Sequence, residues 1–515
     1  MGTITSFLLV LVCALSTFGQ TKPIKKPAVR ISAASPEQRT ARYLDSIKNS
    51  PPKQWAFFLE MPKGGDLHNH LSGAIYAESY VNWAADKGLC VNSKTFVISA
   101  APCDQNAKQV LVSSALTDSV LYRQIIDALS MRYWQYSGRN PHDQFFDTFV
   151  KFSVATYDQT GPMLAEAASR AARGQVSYLE LMLTPDAGKS SQIGQKVDWD
   201  GSPESTLQKL RAAGINEAVT AGVQNLRDAQ AEKQKLLKCG QVDADPGCLV
   251  QIRFVAQVSR GSSLGIVFAQ MVTGFMLASD PSSQVVGLNL VQPEDAFASL
   301  LNFKTQMQML RYLKTQFPKA HLTLHAGELS PGVAPPEDLS FHIRDSVQVA
   351  GAERIGHGVD IMHETDPYQL LKEMADRGVM VEICLSSNDL ILGVKGADHP
   401  LAVYLEYGVP VALATDDEGV SRSEISREFL KAAQEQGLNY RQLKTLARNS
   451  LTYAFVEGAS LWKDPHGFVP VPQCVPDLTG TTEDSVRCRQ FLSNSAKARL
   501  QLTLEGRLRD FEKRF

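Results

Sequence analysis

The sequence predicts an α/β protein built on a (β/α)8 TIM barrel, and three observations carry that expectation. Eight short runs rich in Val, Ile and Leu recur along the chain, and segments long enough for a crossover helix separate them. His, Glu and Asp gather where four of those runs end. Near-continuous apolar runs suit parallel strands covered on both faces. Polar residues at their C-terminal ends mark the edge where barrel enzymes keep their sites.

Taken in order, the runs are residues 66–71, 176–183, 252–258, 285–291, 321–325, 354–358, 379–385 and 410–414. Helical patterns at 307–315, 346–351 and 368–377 supply crossovers, and the repeated alternation favours a closed barrel over an open sheet. Helical insertions are expected after the first and second runs. The first holds Cys90 to Cys103 and the segment 134–152; the second holds a long helical pattern at 203–238. The barrel is expected over 61–462, followed by a C-terminal extension at 463–515 with a Cys474–Cys488 excursion and a final helix at 493–515.

Ahead of the barrel, an apolar run at 7–15, too short to span a bilayer, followed by Ser16-Thr17-Phe18-Gly19-Gln20 reads as a signal peptide over 1–20, with an uncleaved anchor as the competing reading because no Lys or Arg precedes the run. Residues 21–60 read as a Lys-, Pro- and Ala-rich leader and an N-terminal helix from about 36. Without Cys13, six of the remaining cysteines form close pairs, 90 with 103, 239 with 248 and 474 with 488, in polar, turn-rich segments. Local disulfides there suit an exported protein, with reduced surface cysteines as the other reading. Cys384 sits in an apolar run as a core thiol. The expected location is secreted or periplasmic, and the absence of an Asn-x-Ser/Thr sequon favours bacterial export. At 515 residues, 44% hydrophobic, 21% charged and a net charge of −2, the chain offers no basis for a nucleic-acid partner. No membrane association is expected once the signal is removed.

The chemistry lies at the run ends. His68 and His70, two apart on a strand, share one face and make half a zinc site, although His-x-His alone is more often two ordinary histidines. His325 ends the fifth run with Glu328 three residues on, a ligand type beside a proton-transfer type. Gly356 and Gly358 flank His357, and Asp416-Asp417 follow the eighth run, where paired acids would be costly to bury without a cation. A solvated loop or helix cap is the other reading of such a pair. Four of the ten histidines in the chain gather at these ends, which favours a site over coincidence.

Met61-Pro62-Lys63-Gly64-Gly65-Asp66-Leu67-His68-Asn69-His70-Leu71-Ser72-Gly73 resembles the opening strand of adenosine deaminases. His325-Ala326-Gly327-Glu328, Arg354-Ile355-Gly356-His357-Gly358 and Thr415-Asp416-Asp417 are similar to that family's later signatures, in the same order. The extra length and cysteine pairs look more like its secreted branch. The resemblance implies one zinc held by His68, His70, His325 and Asp416. It implies Glu328 as proton shuttle to purine N1, His357 orienting and helping to deprotonate the water, and Asp417 at N7. The implied reaction is hydrolysis of adenosine, with 2′-deoxyadenosine, to inosine and ammonia, hydroxide formed on the metal attacking C6. Ser72 and Gln292 are expected to touch substrate where the family carries an Asp that holds the ribose and a Gly whose backbone meets the purine. Those departures leave the sugar end open, so adenine, a 5′-modified adenosine or AMP are alternatives, although no Lys/Arg cluster suggests phosphate.

A binuclear hydrolase with a bridging Lys is disfavoured because the fourth run has none. A non-catalytic or growth-factor-like barrel would be expected to have lost ligands that are all present. The insertions offer surface for a homodimer. The segment His142-Asp143-Gln144-Phe145-Phe146 reads either as a pocket wall or as a helix face packed on the barrel. Ser386-Ser387-Asn388 reads as site lining or as a helix cap. His321, His342, His363, His399 and His466 match no motif and read as structural or exposed.

Overall fold

Eight parallel strands lie side by side in chain order: β1 (Gly64–His70), β2 (Val176–Leu183), β3 (Gln251–Ser259), β4 (Val285–Val291), β5 (His321–Ala326), β6 (Arg354–His357), β7 (Met380–Ile383) and β8 (Val411–Leu413). They come from a computed structural model that describes residues 34–475 and 486–515. The expected signal peptide and most of the leader lie outside the described residues.

Apart from β3, which is half-buried at alternate positions near its ends, the strands are buried along nearly their whole length, as parallel strands under helices must be. Helices pack outside them to give the expected (β/α)8 barrel. Helix Leu264–Ala278 is buried on almost every side between its neighbours. Helix Tyr440–Thr452 starts from a capping box of Asn439 and Gln442 and lies beneath β1 and β8. There Asn449 Nδ2 donates to the Val411 carbonyl and Ser450 Oγ accepts from Gly65 N.

The barrel is nearly closed. β8 meets β1 through one isolated bridge, Asn69 with Asp416. Asp416 N donates to the His68 carbonyl at 2.8 Å, and His70 N donates to the Asp416 carbonyl at 3.0 Å. Thr415 Oγ1 donates to Asp66 Oδ2 at 2.5 Å and accepts from Asn69 Nδ2 at 2.9 Å. Asn69 and Asp66, inside the first motif, therefore fasten the joint.

Several expected elements differ in detail. The first insertion is not wholly helical: Cys90–Asn92, Ile98–Ser99 and Gln109–Leu111 form a small antiparallel sheet. The helix expected over 36–60 is two, Pro36–Ser46 and Pro51–Glu60, because Pro51 and Pro52 fit only at a helix start. The pattern at 203–238 breaks at Gly214, whose φ of +87° suits glycine, into Pro203–Ala212 and Ile215–Leu236. The final helix breaks before Ser495, which caps Ala496–Glu512. The seventh run is shorter as a strand, since Leu385 already begins helix Leu385–Leu392.

Disulfides join Cys90 to Cys103, Cys239 to Cys248 and Cys474 to Cys488, and Cys384 is a buried free thiol. Among the described residues no helix is long and apolar enough to cross a membrane.

Candidate active site

The C-terminal ends of β1, β5, β6 and β8 converge. His68 Nε2 and His70 Nε2 lie 3.1 and 3.2 Å from His325 Nε2, and 3.4 and 3.3 Å from Asp416 Oδ1. Four bonds of about 2.0–2.1 Å to one tetrahedral ion would set their donor atoms roughly 3.3–3.4 Å apart. The observed spacings are close to that edge.

The protonation pattern agrees. His68 Nδ1 faces Glu382 Oε2 at 2.6 Å and His325 Nδ1 faces Asn289 Oδ1 at 2.9 Å. A ring that gives its Nδ1 hydrogen to an oxygen turns a bare Nε2 inward. Two bare nitrogens 3.1 Å apart repel unless a proton or cation sits between them. Burial resists charge on His68, yet the carboxylates of Asp416 and Glu382 outweigh it and lift its pKa to about 10. Burial and the neighbouring imidazoles keep His325 neutral, well below the usual histidine range. Burial also opposes charge on Asp416, but the facing His68 and His70 rings hold its carboxyl well below the usual range. Its Oδ1 is buried without a hydrogen-bond partner. Three imidazoles and one carboxylate, of which His68, His325 and Asp416 are held by outward-facing partners, fit a metal ion.

Three titratable groups crowd this cradle. Glu328 is buried, and burial, then the charges of Asp416 and Glu294, push its pKa well above the usual range. Asp417 is raised well above its range by burial and by Asp416. His357 is held down at about 3 by burial. Burial thus biases Glu328 and Asp417 towards their neutral forms and His357 towards an uncharged ring. Their placement depends on glycine: a Cβ on Gly73 would lie 1.5 Å from Asp417 Oδ1, and one on Gly356 would lie 2.6 Å from His68 Cε1. His357, Asp416 and Gln292 all hold positive φ, at +68°, +60° and +83°. Such strain at non-glycine residues gathers at functional sites.

Around this core stand residues that motif reading passed over. Arg354 joins Glu180 and Glu382 at 2.6 Å each, so a buried ionic chain supports His68 from below. Glu294 accepts from Gly327 N and Glu328 N and pairs with His342 Nδ1 at 2.6 Å. Arg260 Nη2 donates to the His325 carbonyl at 2.8 Å. Together they fix the loop bearing Glu328. Ser387 Oγ donates to Asp416 Oδ2 at 2.5 Å, and Asn388 Nδ2 meets His357 Nδ1 at 3.0 Å. The Ser386–Asn388 segment thus lines the site and also opens a helix. His342 and His399, read as structural or exposed, are buried and bonded to this support. The sequence signal for such residues is a lone Asn or Glu inside an apolar run, since a buried polar group needs a partner.

The Gln292 side chain turns away to accept from Gly261 N at 2.9 Å, leaving only its backbone, in a glycine-like conformation, beside the site. Ser72 lines a groove of about 640 Å3 with Met182, Asp158, Asp228 and Glu232. Phe145, in helix Pro141–Phe152, is buried, while His142 reaches Asp295 beside Glu294 at 3.2 Å.

A family model described as adenosine deaminase matches residues 135–460, which span β2 through β8 with His325, Glu328, His357, Asp416 and Asp417 but not β1 with His68 and His70. The chain belongs to the adenosine deaminase family. An adenosine deaminase from Klebsiella pneumoniae is 28% identical over 393 residues, 76% of this chain and 93% of its own. The N6-methyl-AMP deaminase of Arabidopsis thaliana superposes with a TM-score of 0.50 at 20% identity, over 78% of this chain and 94% of that one. An amidohydrolase from Burkholderia ambifaria with bound zinc gives 0.51 at 17% identity, over 88% and 94%. As in its deaminase relatives, a metal-dependent hydrolytic reaction on a small purine is the family's chemistry.

Proposed function

We propose that this member of the adenosine deaminase family hydrolyses adenosine, and 2′-deoxyadenosine, to inosine and ammonia with one zinc ion. The observation that carries the reading is a buried Glu328 carboxyl beside a cradle of three imidazoles and one carboxylate. His68, His70, His325 and Asp416 would hold the zinc, which suits their donor set and is bound by the Burkholderia ambifaria relative. When bound, such an ion acidifies water from about 15.7 towards about 7.

The remaining work belongs to side chains. Glu328, whose burial favours the protonated form, gives its proton to purine N1 and makes C6 electrophilic. His357 orients the incoming water, and Asp417, which burial also biases towards its protonated form, offers its hydrogen to N7. Arg260 and Glu294 hold the backbone of residues 325–328, so these groups meet the ring in register.

The groove at Ser72 bears on the other end of the substrate. Asp158, Asp228 and Glu232 line it, with no Lys or Arg, so a phosphate there meets like charge. That favours a nucleoside over AMP. Adenine or a 5′-modified adenosine is the second reading, favoured by Ser72, whose short hydroxyl gives the sugar no carboxylate.

Zinc-loaded protein should lower the ultraviolet absorbance of adenosine and 2′-deoxyadenosine and release ammonia. Glu328→Gln should lose at least about 100-fold in kcat. Protein that holds one zinc yet leaves both nucleosides unchanged would refute the adenosine reading.

A further inference from the structure

Helix Leu401–Glu406 follows Pro400, which has no N–H, so its first donor is the backbone N–H of Leu401. That N–H donates to His399 Nδ1 at 3.1 Å. A backbone N–H can only donate, so in the neutral ring Nδ1 is bare and Nε2 carries the hydrogen. Nε2 lies 3.1 Å from Asn388 Oδ1. The amide is thereby turned so that its Nδ2, again only a donor, meets His357 Nδ1 at 3.0 Å. His357 Nδ1 accepts, and the ring's single hydrogen is left on Nε2. The reverse order would set an N–H of His399 against that of Leu401. With His399, Asn388 and His357 all buried, no water relieves such a clash. Burial holds His399 at about 4, so that ring is neutral at physiological pH.

We infer that Asn388 and His399 are positioning residues that fix the Nε2–H tautomer of His357, so that His357 acts as a hydrogen-bond donor to the attacking oxygen and not as a base. The inference rests on the deaminase reading and departs from the expectation that His357 helps to deprotonate water. His357 Nε2 is buried without a partner, and its ring lies 4.8 Å from His68 and 5.0 Å from His325. The fixed tautomer also argues against His357 as a metal ligand. One of its ring nitrogens lies within 4.8 Å of ligand atoms of His68, His325 and Asp416. Yet Nδ1 is engaged and Nε2 has no free lone pair.

Protons then travel through Glu328 alone. Both hydrogens of the water pass by its carboxyl, one ending on N1 and one on the departing amine. The C–O bond forms, the C–N bond breaks, and ammonia leaves with His357 unchanged in charge.

The test is the 15N imidazole spectrum of the zinc-loaded enzyme, with His357 signals identified by their loss in His357→Gln. Between about pH 6 and pH 8 the expected pattern is a protonated Nε2 and a bare, hydrogen-bonded Nδ1. A protonated Nδ1, or an imidazolium, overturns the inference without any variant needing to fold. Asn388→Asp exchanges the donor for an acceptor, and should move the hydrogen to Nδ1 and lower kcat by about 100-fold or more, as a wrong tautomer does elsewhere. KM should stay within about threefold, and an unmoved spectrum in that variant also overturns the inference. The spectrum is read without turnover, so a correct tautomer in protein that deaminates nothing would sink the proposed function and leave this assignment standing.

Discussion

Glu382 does for His68 what Asn289 does for His325: each takes the Nδ1 hydrogen and leaves Nε2 free to face the cradle. Glu382 also accepts from Thr323 Oγ1 at 2.7 Å and pairs with Arg354. Glu382→Gln keeps the shape but removes the charge that polarises His68. It is expected to weaken metal binding about 10- to 100-fold in a chelator competition, with little change in secondary structure. The four ligand candidates, Glu328, His357 and Asp417 were legible because each ends an apolar run. Glu382, Asn289 and Arg260 were not, because their meaning lies across the barrel. His68 and Glu382 are 314 residues apart, and no local period reports such a bond.

At the scale of elements, β2 and β4 matched the bounds read from their apolar runs, because a strand buried on both faces leaves a continuous hydrophobic signature. β7 did not, since Cys384 and Leu385 are as buried in a helix start as they would be in a strand. The first insertion's small sheet escaped notice because strands of two or three residues leave no pattern. Cys239–Cys248 ties the end of helix Ile215–Leu236 to the entry of β3 across a separation of 9 residues. A disulfide closing so short a loop contributes about 2–3 kcal/mol. The double variant Cys239→Ser, Cys248→Ser should lose about that much in denaturant unfolding while kcat stays the same. An unshifted midpoint would show that the staple only follows a fold made without it.

The molecule as a whole carries a pH dependence remote from the cradle. Glu364 accepts from Ile343 N and Arg344 N with one oxygen, while its other oxygen is buried without a partner. Burial raises its pKa to about 7, so folding favours the protonated form. The resulting stability is complete below the ordinary glutamate range and is lost as pH rises through about 7. It amounts to on the order of 3 kcal/mol. Glu418 and Glu428, also raised to about 7 by burial, act in the same direction. Melting temperature should therefore fall between about pH 5 and pH 8, and Glu364→Gln should flatten part of that slope. An unchanged slope would remove Glu364 from the account.

The lone bridge between Asn69 and Asp416 makes the ring of strands a bracelet with a fastening. His68 and His70 stand on one end of the band and Asp416 on the other. An ion gripped by all three would lock the clasp, and a bracelet robbed of it would gape first at that point. Catalytic readiness and the soundness of the ring are then a single property, kept or lost together.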